Sequence, residues 1–311
     1  GRPAAARLGP VASGHFARMA QGSIEYTGLE LLAETYHLMK SFIHLSAEEM
    51  RTVYSEWNKT EVSSRLLGLT ANILGVMEGD GLSLIDLILD SPGPDSGAPG
   101  SAWAAEAVAR AGLDFRSPLG LLGVAISARS LQALKDERVM ASALLGGPKT
   151  AATGERQVLL ENLRKALLAA NVIALGQAFL LLRAGAKSQA WDLNLAEVAR
   201  LWASSRSTGS ALLEILEEAY LRDSSLASPL LDSKVKTLLD SALPGLRKVA
   251  GRAVESGLPL PSFTSALGFY DSYRSTWLPA NLIQALRDGL GGVGYERIDR
   301  PRGEIFHSEW K

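Results

Sequence analysis

The chain has 311 residues, and its 32 Lys and Arg almost balance its 33 Asp and Glu, leaving a formal net charge of -1. So weak an overall field argues against nonspecific nucleic-acid binding, and the sequence carries no strong nucleic-acid signal. The absence of cysteine excludes disulfides, thiolate metal sites, iron–sulfur clusters and a cysteine nucleophile. The 4 histidines lack metal-ligand spacing, so we expect no metal site. A composition of 47% hydrophobic and only 6% aromatic residues favours packed helices.

Residues 1–12 are rich in Ala, Arg and Pro, and the first acidic residue is Glu25. This composition is typical of the end of an organellar targeting segment, and equally of a linker that follows an upstream domain. The first interpretation predicts a location in an organelle, with the mitochondrion as the favoured one. The second is compatible with the cytoplasm.

Helical periodicity dominates the chain, whereas strand and hairpin signals are nearly absent. Ser46 and Glu49 form a capping-box pattern at the start of one helix. The apolar stretch Ala166–Leu182 is interrupted by polar residues and falls short of the roughly 20 residues that a bilayer requires. We therefore expect a buried core helix there and no transmembrane segment. The predicted helices cover residues 24–39, 46–57, 60–77, 82–89, 102–111, 119–145, 155–184, 194–204, 207–219, 232–255, 262–274 and 278–289.

Two loops rich in Gly, Pro and small polar residues interrupt these helices, at Asp90–Ser101 and Gly146–Gly154. Neither loop marks a change in composition, so the sequence predicts one helical domain over residues 13–288 and an extended tail over residues 289–311. Gly289–Gly294 matches the G-x-G-x-x-G pattern of dinucleotide-binding loops. That chemistry requires a preceding strand and a following helix. Because a helix precedes the glycines here, we interpret them as a helix exit.

Several motifs, in this order, resemble the C-terminal helical domain of the 6-phosphogluconate dehydrogenase family. They are Gly14–Met19, Ile24–Tyr26, Glu34–Met39, Trp57–Glu61, Thr70–Leu74, Ser130–Ala141, Arg164–Leu167, Gln177–Phe179, Gly257–Leu267, Phe269–Asp271, Leu278–Ala280 and Gln284–Asp288. The resemblance implies an all-α domain that forms a homodimer, with each C-terminal tail reaching into the partner subunit. It also implies an enzyme that oxidises and decarboxylates 6-phosphogluconate with NADP, whose binding domain precedes this region in the family.

The resemblance places the family's general base, a lysine, at the position of Arg18. A guanidinium does not lose its proton at working pH, so Arg18 cannot serve as that base. The family's His-Asn pair corresponds to Gln21 and Gly22, or to a locally shifted Gly22-Ser23, and is lost in both registers. Glu25 corresponds to the general acid and Tyr26 to a phosphate-binding tyrosine, and both are retained.

The family's phosphate contacts are only partly retained. Arg164 and Arg287 match two phosphate-binding arginines, although a structural interpretation of each as a solvated or salt-bridged side chain is favoured over anion binding. A family lysine corresponds to Ala143 and a tail histidine to Val293, so both contacts are lost. The family's Trp-Arg-Gly-Gly-Cys segment has become Trp202–Arg206.

These losses predict a catalytically inactive family member that serves as a structural or accessory subunit of a larger, organellar assembly. No cofactor is expected. Other protein subunits or a second copy are the expected partners, with Pro301–Lys311 as a contact segment. Two alternatives stay open. One is a divergent NADP-dependent decarboxylating dehydrogenase whose dinucleotide-binding domain is missing or supplied in trans. The other is a sugar-phosphate-binding module that uses Tyr26, Arg164 and Arg287.

Overall fold

A computed structural model describes residues 5–10, 12–79, 81–93, 102–148, 155–205 and 208–310, with only the backbone given for 102–104. The described residues form an all-α fold, as predicted. Its helices are α1 (Ser13–Ser41), α2 (Ala47–Trp57), α3 (Arg65–Leu74), α4 (Ala102–Asp114), α5 (Gly120–Ala133), α6 (Lys135–Leu144), α7 (Arg156–Ser188), α8 (Leu195–Ala203), α9 (Ala211–Arg222), α10 (Ser233–Ser256), α11 (Pro261–Tyr273) and α12 (Ala280–Gly291).

The core is built around α7, and α10 and α1 pack along it. Its 33 residues are apolar on most sides, which is the pattern of a helix surrounded by protein. Helix α7 is long and apolar enough to span a membrane, but 83% of its most apolar segment is buried inside the fold. The prediction of a buried core helix over Ala166–Leu182 is therefore confirmed.

Local sequence signals explain several helix ends. Ser46 caps α2 by accepting a hydrogen bond from the amide of Glu49, and the Glu49 side chain accepts one from the amide of Ser46 in return. The capping box is therefore confirmed. Helix α10 ends at Gly257, whose φ of 68° lies in the left-handed region that glycine adopts without strain. The prolines that follow prevent the helix from continuing.

Two helix predictions were wrong in the type or continuity of the element, and α1 begins at Ser13, well before the predicted residue 24. Residues 82–89 do not form an α-helix, because a short hairpin pairs β1 (Met77–Glu78) with β2 (Leu82–Ser83) and a 3-10 turn follows at Leu84–Leu87. Gly79 and Gly81 both have positive φ and provide the reversal. The predicted helix over 119–145 is interrupted at Leu134, whose ψ of 46° is not helical and which separates α5 from α6.

The chain divides into two compact units, residues 1–267 and 268–311. The limits of 13–288 and 289–311 for a domain and its tail stay a prediction, as does the assignment of residues 1–12. Parts of that segment and of the two predicted loops (residues 1–4, 11, 94–101 and 149–154) lie outside the described residues.

The second unit is organised by Asp288, at the end of α12. Its buried carboxylate accepts hydrogen bonds from the amides of Gly294 and Ser308, at 3.0 Å each, from the indole Nε1 of Trp310 at 2.8 Å and from His307 Nδ1 at 2.7 Å. These bonds fold the tail back onto the helix end. The glycines between them form a helix exit, with Gly292 in the left-handed region, which confirms the interpretation of Gly289–Gly294.

Candidate functional site

The residues that the resemblance assigns to proton transfer (Arg18, Glu25) and to substrate binding (Gln21, Gly22, Tyr26) lie on one face of α1. Arg18, Gln21, Gly22, Glu25 and Tyr26 are separated by the three- and four-residue steps that bring side chains together on a helix. Gln21, Gly22, Glu25 and Tyr26 are buried, whereas the Arg18 side chain is 55% exposed. The fold therefore brings the predicted positions together at the boundary between core and solvent.

Arg18 connects three of these positions by hydrogen bonds. Its Nη1 donates to Gln21 Oε1 at 3.2 Å and to Glu25 Oε1 at 3.1 Å. The second contact is also an ion pair with a carboxylate that is only 5% exposed. The side chain at the position of the base thus binds the side chain at the position of the general acid. Glu25 therefore has a cationic partner within its own helix.

Gln21 ties this network to a distant part of the chain. Its Nε2 donates to Thr208 Oγ1 at 2.6 Å, and the Thr208 hydroxyl donates to the backbone oxygen of Trp202 at 3.0 Å. Thr208 lies in the connection between α8 and α9, beside the segment Trp202–Arg206 that departs from the family. No sequence pattern marked Thr208 as a site residue, although it closely follows the altered segment Trp202–Arg206. Arg206 lies outside the described residues.

Arg164 lies on α7 in a network of its own. Its guanidinium pairs with Glu61 at 2.5 Å and with Glu161 at 2.9 Å, and its side chain is 15% exposed. The hydrogen bond to Glu161, opposed by desolvation and supported by Glu61, raises the pKa of Arg164. Glu61 belongs to the Trp57–Glu61 motif, so two retained family motifs meet in this ion-pair cluster. This geometry is the salt-bridged alternative that the sequence left open.

The remaining predicted positions lie on exposed surface. Ala143 is exposed on α6, in the first unit. Arg287 is exposed on α12 of the second unit, where its Nη1 donates to Gln284 Oε1 at 3.4 Å. Val293 lies among the glycines that follow α12 and is 50% exposed. The part these positions play in ligand binding stays a prediction.

The described residues form neither a dinucleotide-binding loop at Gly289–Gly294 nor a cluster of metal-ligating side chains. Gly289–Gly294 follows a helix instead of a strand, so the geometry that places pyrophosphate at a helix N-terminus is not formed there. Within the described ranges, no group of three His, Asp or Glu side chains is arranged to hold a metal ion. The polar network on α1 consists of the buried carboxylate of Glu25, the guanidinium of Arg18 and the side-chain amide of Gln21.

Comparison with known proteins identifies the class of protein and the family to which this chain belongs. The class is the helical domain of a dehydrogenase: a family model described as "6-phosphogluconate dehydrogenase, C-terminal domain" matches residues 14–310. The chain belongs to the 6-phosphogluconate dehydrogenase family. The relative from Rattus norvegicus, a decarboxylating 6-phosphogluconate dehydrogenase, is 40% identical over 311 residues, which are 100% of this chain and 63% of the relative.

Two further comparisons agree with this assignment. The NADP(+)-dependent, decarboxylating relative from Bacillus subtilis is 38% identical over 312 residues, covering 100% of this chain and 65% of its own length. The solved structure of the Plasmodium falciparum 6-phosphogluconate dehydrogenase superposes with a TM-score of 0.91 at 28% identity, covering 99% of this chain and 65% of that one. The chain therefore spans less than two thirds of the length of these relatives.

Proposed function

We propose that this chain belongs to a non-catalytic 6-phosphogluconate dehydrogenase-like protein that acts as a structural or accessory subunit of a larger, organellar assembly. The observation that carries the proposal is the hydrogen-bonded set of Arg18, Gln21 and Glu25. Family resemblance puts the base where Arg18 stands and the acid where Glu25 stands. In this chain the two side chains bind each other.

The chemistry of arginine supports the loss of activity. A general base must accept a proton, and a guanidinium carries its own at any working pH. Removal of a positioned acid or base costs a factor of about 10² to 10⁴ in rate. The lost His-Asn pair adds to this because Gln21 hydrogen-bonds Thr208 and Gly22 has no side chain.

Retained motifs with packing roles support a structural function. Trp57 is 7% exposed in the core, and Glu61 of the same motif pairs with Arg164. These residues stabilise the helical framework irrespective of any chemistry. The retained framework beside an altered proton-transfer set is what we expect of a protein that is used for its shape.

The second unit offers a surface for the proposed partner. Its helix α12 exposes an apolar stripe at the spacing of one helix face: Leu282, Ile283, Leu286 and Leu290 are 61%, 53%, 55% and 89% exposed. Large exposed apolar patches mark interaction sites. The occupant that we propose is another subunit or a second copy, with the tail as part of the contact.

An activity assay on the complete natural protein tests the proposal. Purified protein is incubated with 6-phosphogluconate and NADP, and NADPH is followed by absorbance, with the enzyme from Rattus norvegicus as a positive control. We expect no substrate-dependent NADPH while the control turns over. Turnover comparable to that of the control enzyme would contradict the proposal.

The alternative is a divergent decarboxylating dehydrogenase in which residues outside this chain bind NADP. The observation that favours it is the 40% identity that extends over the whole chain to a relative named as that enzyme. The same assay distinguishes the non-catalytic subunit from the divergent dehydrogenase, because only the dehydrogenase produces NADPH. Under this alternative a group other than Arg18 takes the proton, and the pH dependence of the rate would report that group.

A further inference from the structure

A groove of about 480 Å³ lies where the end of α1, the start of α7 and the second half of α10 meet. Its base is apolar, because Leu38, Phe42 and Val249 line it and are each at most 5% exposed. Leu38 and Glu25 are both on α1, about 20 Å apart along the helix axis. The groove is therefore separate from the proton-transfer positions, and its volume is in the range of small-molecule sites.

The charged side chains of this groove carry a positive excess. Arg247, Lys248 and Arg252 of α10 line it together with only two carboxylates, those of Glu155 and Glu255. Among the described residues, the exposed ammonium of Lys248 makes no hydrogen bond or ion pair. Its charge is therefore available to a ligand. Because the chain as a whole has a net charge of -1, the excess is a local feature, and it favours an anionic ligand over a cationic one.

Gly251 lies in the interior of α10 and lines the same groove. Glycine weakens a helix relative to alanine, so its presence there requires a physical reason. At Gly245, on the same helix, the reason is packing, because an added Cβ atom would lie 2.5 Å from Lys165 Cβ on α7. At Gly251 an added Cβ atom would meet no described atom within 4 Å, and the backbone is helical. The fold does not need this glycine, but a ligand lying against the helix backbone does.

We propose that this groove binds a small carboxylic acid with an apolar body. The apolar body lies over Gly251 against the base of the groove, and the carboxylate pairs with Lys248. The apolar base disfavours a sugar phosphate, whose hydroxyl groups would lose water there without gaining hydrogen-bond partners. This site goes beyond the function proposed above and does not depend on it, because it uses no group on the face of α1 that carries Arg18.

Calorimetry on the complete natural protein tests the class of ligand, with octanoate as the probe. Acetate has the carboxylate without the apolar body, and octylammonium has the body with the opposite charge. We expect octanoate to bind with a Kd on the order of 1 mM. Acetate should give no saturable heat, because each buried CH₂ group contributes about fourfold in affinity, and octylammonium should bind about tenfold more weakly. An absence of saturable octanoate binding, or equal affinities for octanoate and octylammonium, would overturn the proposal.

A variant that fills the groove tests its location. Gly251→Leu places a side chain in the open space, and leucine is favourable in a helix, so we expect a folded protein that no longer binds octanoate. Gly123→Leu is the matched control, since Gly123 is an exposed glycine of α5 at which an added Cβ atom would also meet no described atom within 4 Å. This control should bind octanoate like wild type. Unchanged affinity in Gly251→Leu would show that octanoate binds elsewhere and that the proposal is wrong.

A charge variant tests the carboxylate contact independently of the filled groove. Lys248→Gln removes the cation from an exposed position, and we expect octanoate affinity to fall about tenfold because a charged hydrogen bond is lost. Lys236→Gln is the control, since Lys236 lies on α10 outside the groove and pairs with Asp240, and it should leave the affinity unchanged. Far-UV circular dichroism verifies that each variant is folded. If Lys248→Gln and wild type bound octanoate equally, the assignment of the carboxylate to Lys248 would be refuted.

Discussion

The side-chain amide of Gln21 donates a hydrogen bond of 2.6 Å to the hydroxyl of Thr208, 187 residues further along the chain. Both residues are buried, at 5% and 6% exposure. This bond fixes the face of α1 that carries the altered proton-transfer positions to the connection between α8 and α9. It turns a position that the resemblance assigns to substrate binding into a contact within the fold.

Replacing Thr208 by valine should therefore destabilise the fold. Valine has nearly the same shape as threonine but leaves Gln21 Nε2 without the Thr208 acceptor in a buried environment, which costs about 1–3 kcal/mol. The free energy of unfolding from urea titration measures this loss. Thr208→Ser keeps the hydroxyl and is the control. Equal losses in the two variants would show that the methyl group, and not the hydrogen bond, is what matters.

Restoring a lysine at position 18 should not create a dehydrogenase. An ammonium group can lose its proton where a guanidinium cannot, but Gln21 remains bound to Thr208 and Gly22 still has no side chain. We expect no 6-phosphogluconate-dependent NADPH from Arg18→Lys in the complete protein, measured beside wild type. An increase of tenfold or more in NADPH production would contradict this expectation and would show that Arg18 alone accounts for the loss of activity.

Replacing Arg164 by methionine tests whether this arginine is structural. The change removes the ion pairs with Glu61 and Glu161 from a side chain that is 15% exposed, and we expect a loss of about 1–2 kcal/mol because charged hydrogen bonds are lost while both carboxylates regain water. Urea titration gives the value. Arg156→Met is the matched control, since its ion pair with Glu49 is half-exposed and exposed pairs of this kind contribute little to stability.

Calorimetry on the same variant addresses sugar-phosphate binding. If Arg164 is occupied by its two carboxylates, Arg164→Met and wild type should respond alike to millimolar 6-phosphogluconate. Heat that is present in wild type and absent in the variant would instead assign Arg164 to a phosphate site and support the sugar-phosphate-binding module.

Replacing Asp288 by asparagine should open the second unit. Asparagine has one acceptor oxygen where the carboxylate binds four donors. The hydrogen bonds from Ser308 and Trp310, followed by those from His307 and Gly294, lower the pKa of Asp288 to about 2. Its stabilising effect is thus complete above the ordinary value of 3.8 and is lost as pH falls toward 2. The indole N–H resonance of Trp310 reports this opening. Asp299→Asn, at an exposed pair with Arg297, should leave that resonance unchanged.

Local signals in the sequence predicted most of the helices but not the contacts that join them. The capping box of Ser46 and Glu49 and the apolar run of α7 each depend on residues that are close together in the chain. Both were therefore predicted correctly. The hairpin at Met77–Ser83 was missed because two glycines with positive φ overrode a weak helical pattern.

The partner of Gln21 lies 187 residues away, and the amide of Ser262, which donates a hydrogen bond to Glu34, lies 228 residues away from it. No periodicity within one segment reports pairings of that kind, since they form only when the helices are assembled. The resemblance assigned a role to each of Arg18, Gln21 and Glu25 separately, and the first predicted helix began at residue 24. Their position on one face of α1 and the hydrogen bonds between them were therefore not predicted.

Gln21 and Glu34 belong to a single uninterrupted helix of 29 residues. At a rise of 1.5 Å per residue the two positions are about 20 Å apart along its axis. Because Gln21 binds Thr208 and Glu34 binds the amides of Ser262 and Phe263, this one helix connects the segment between α8 and α9 with the start of α11. We expect a substitution at Thr208 to be detectable in the amide exchange of Ser262.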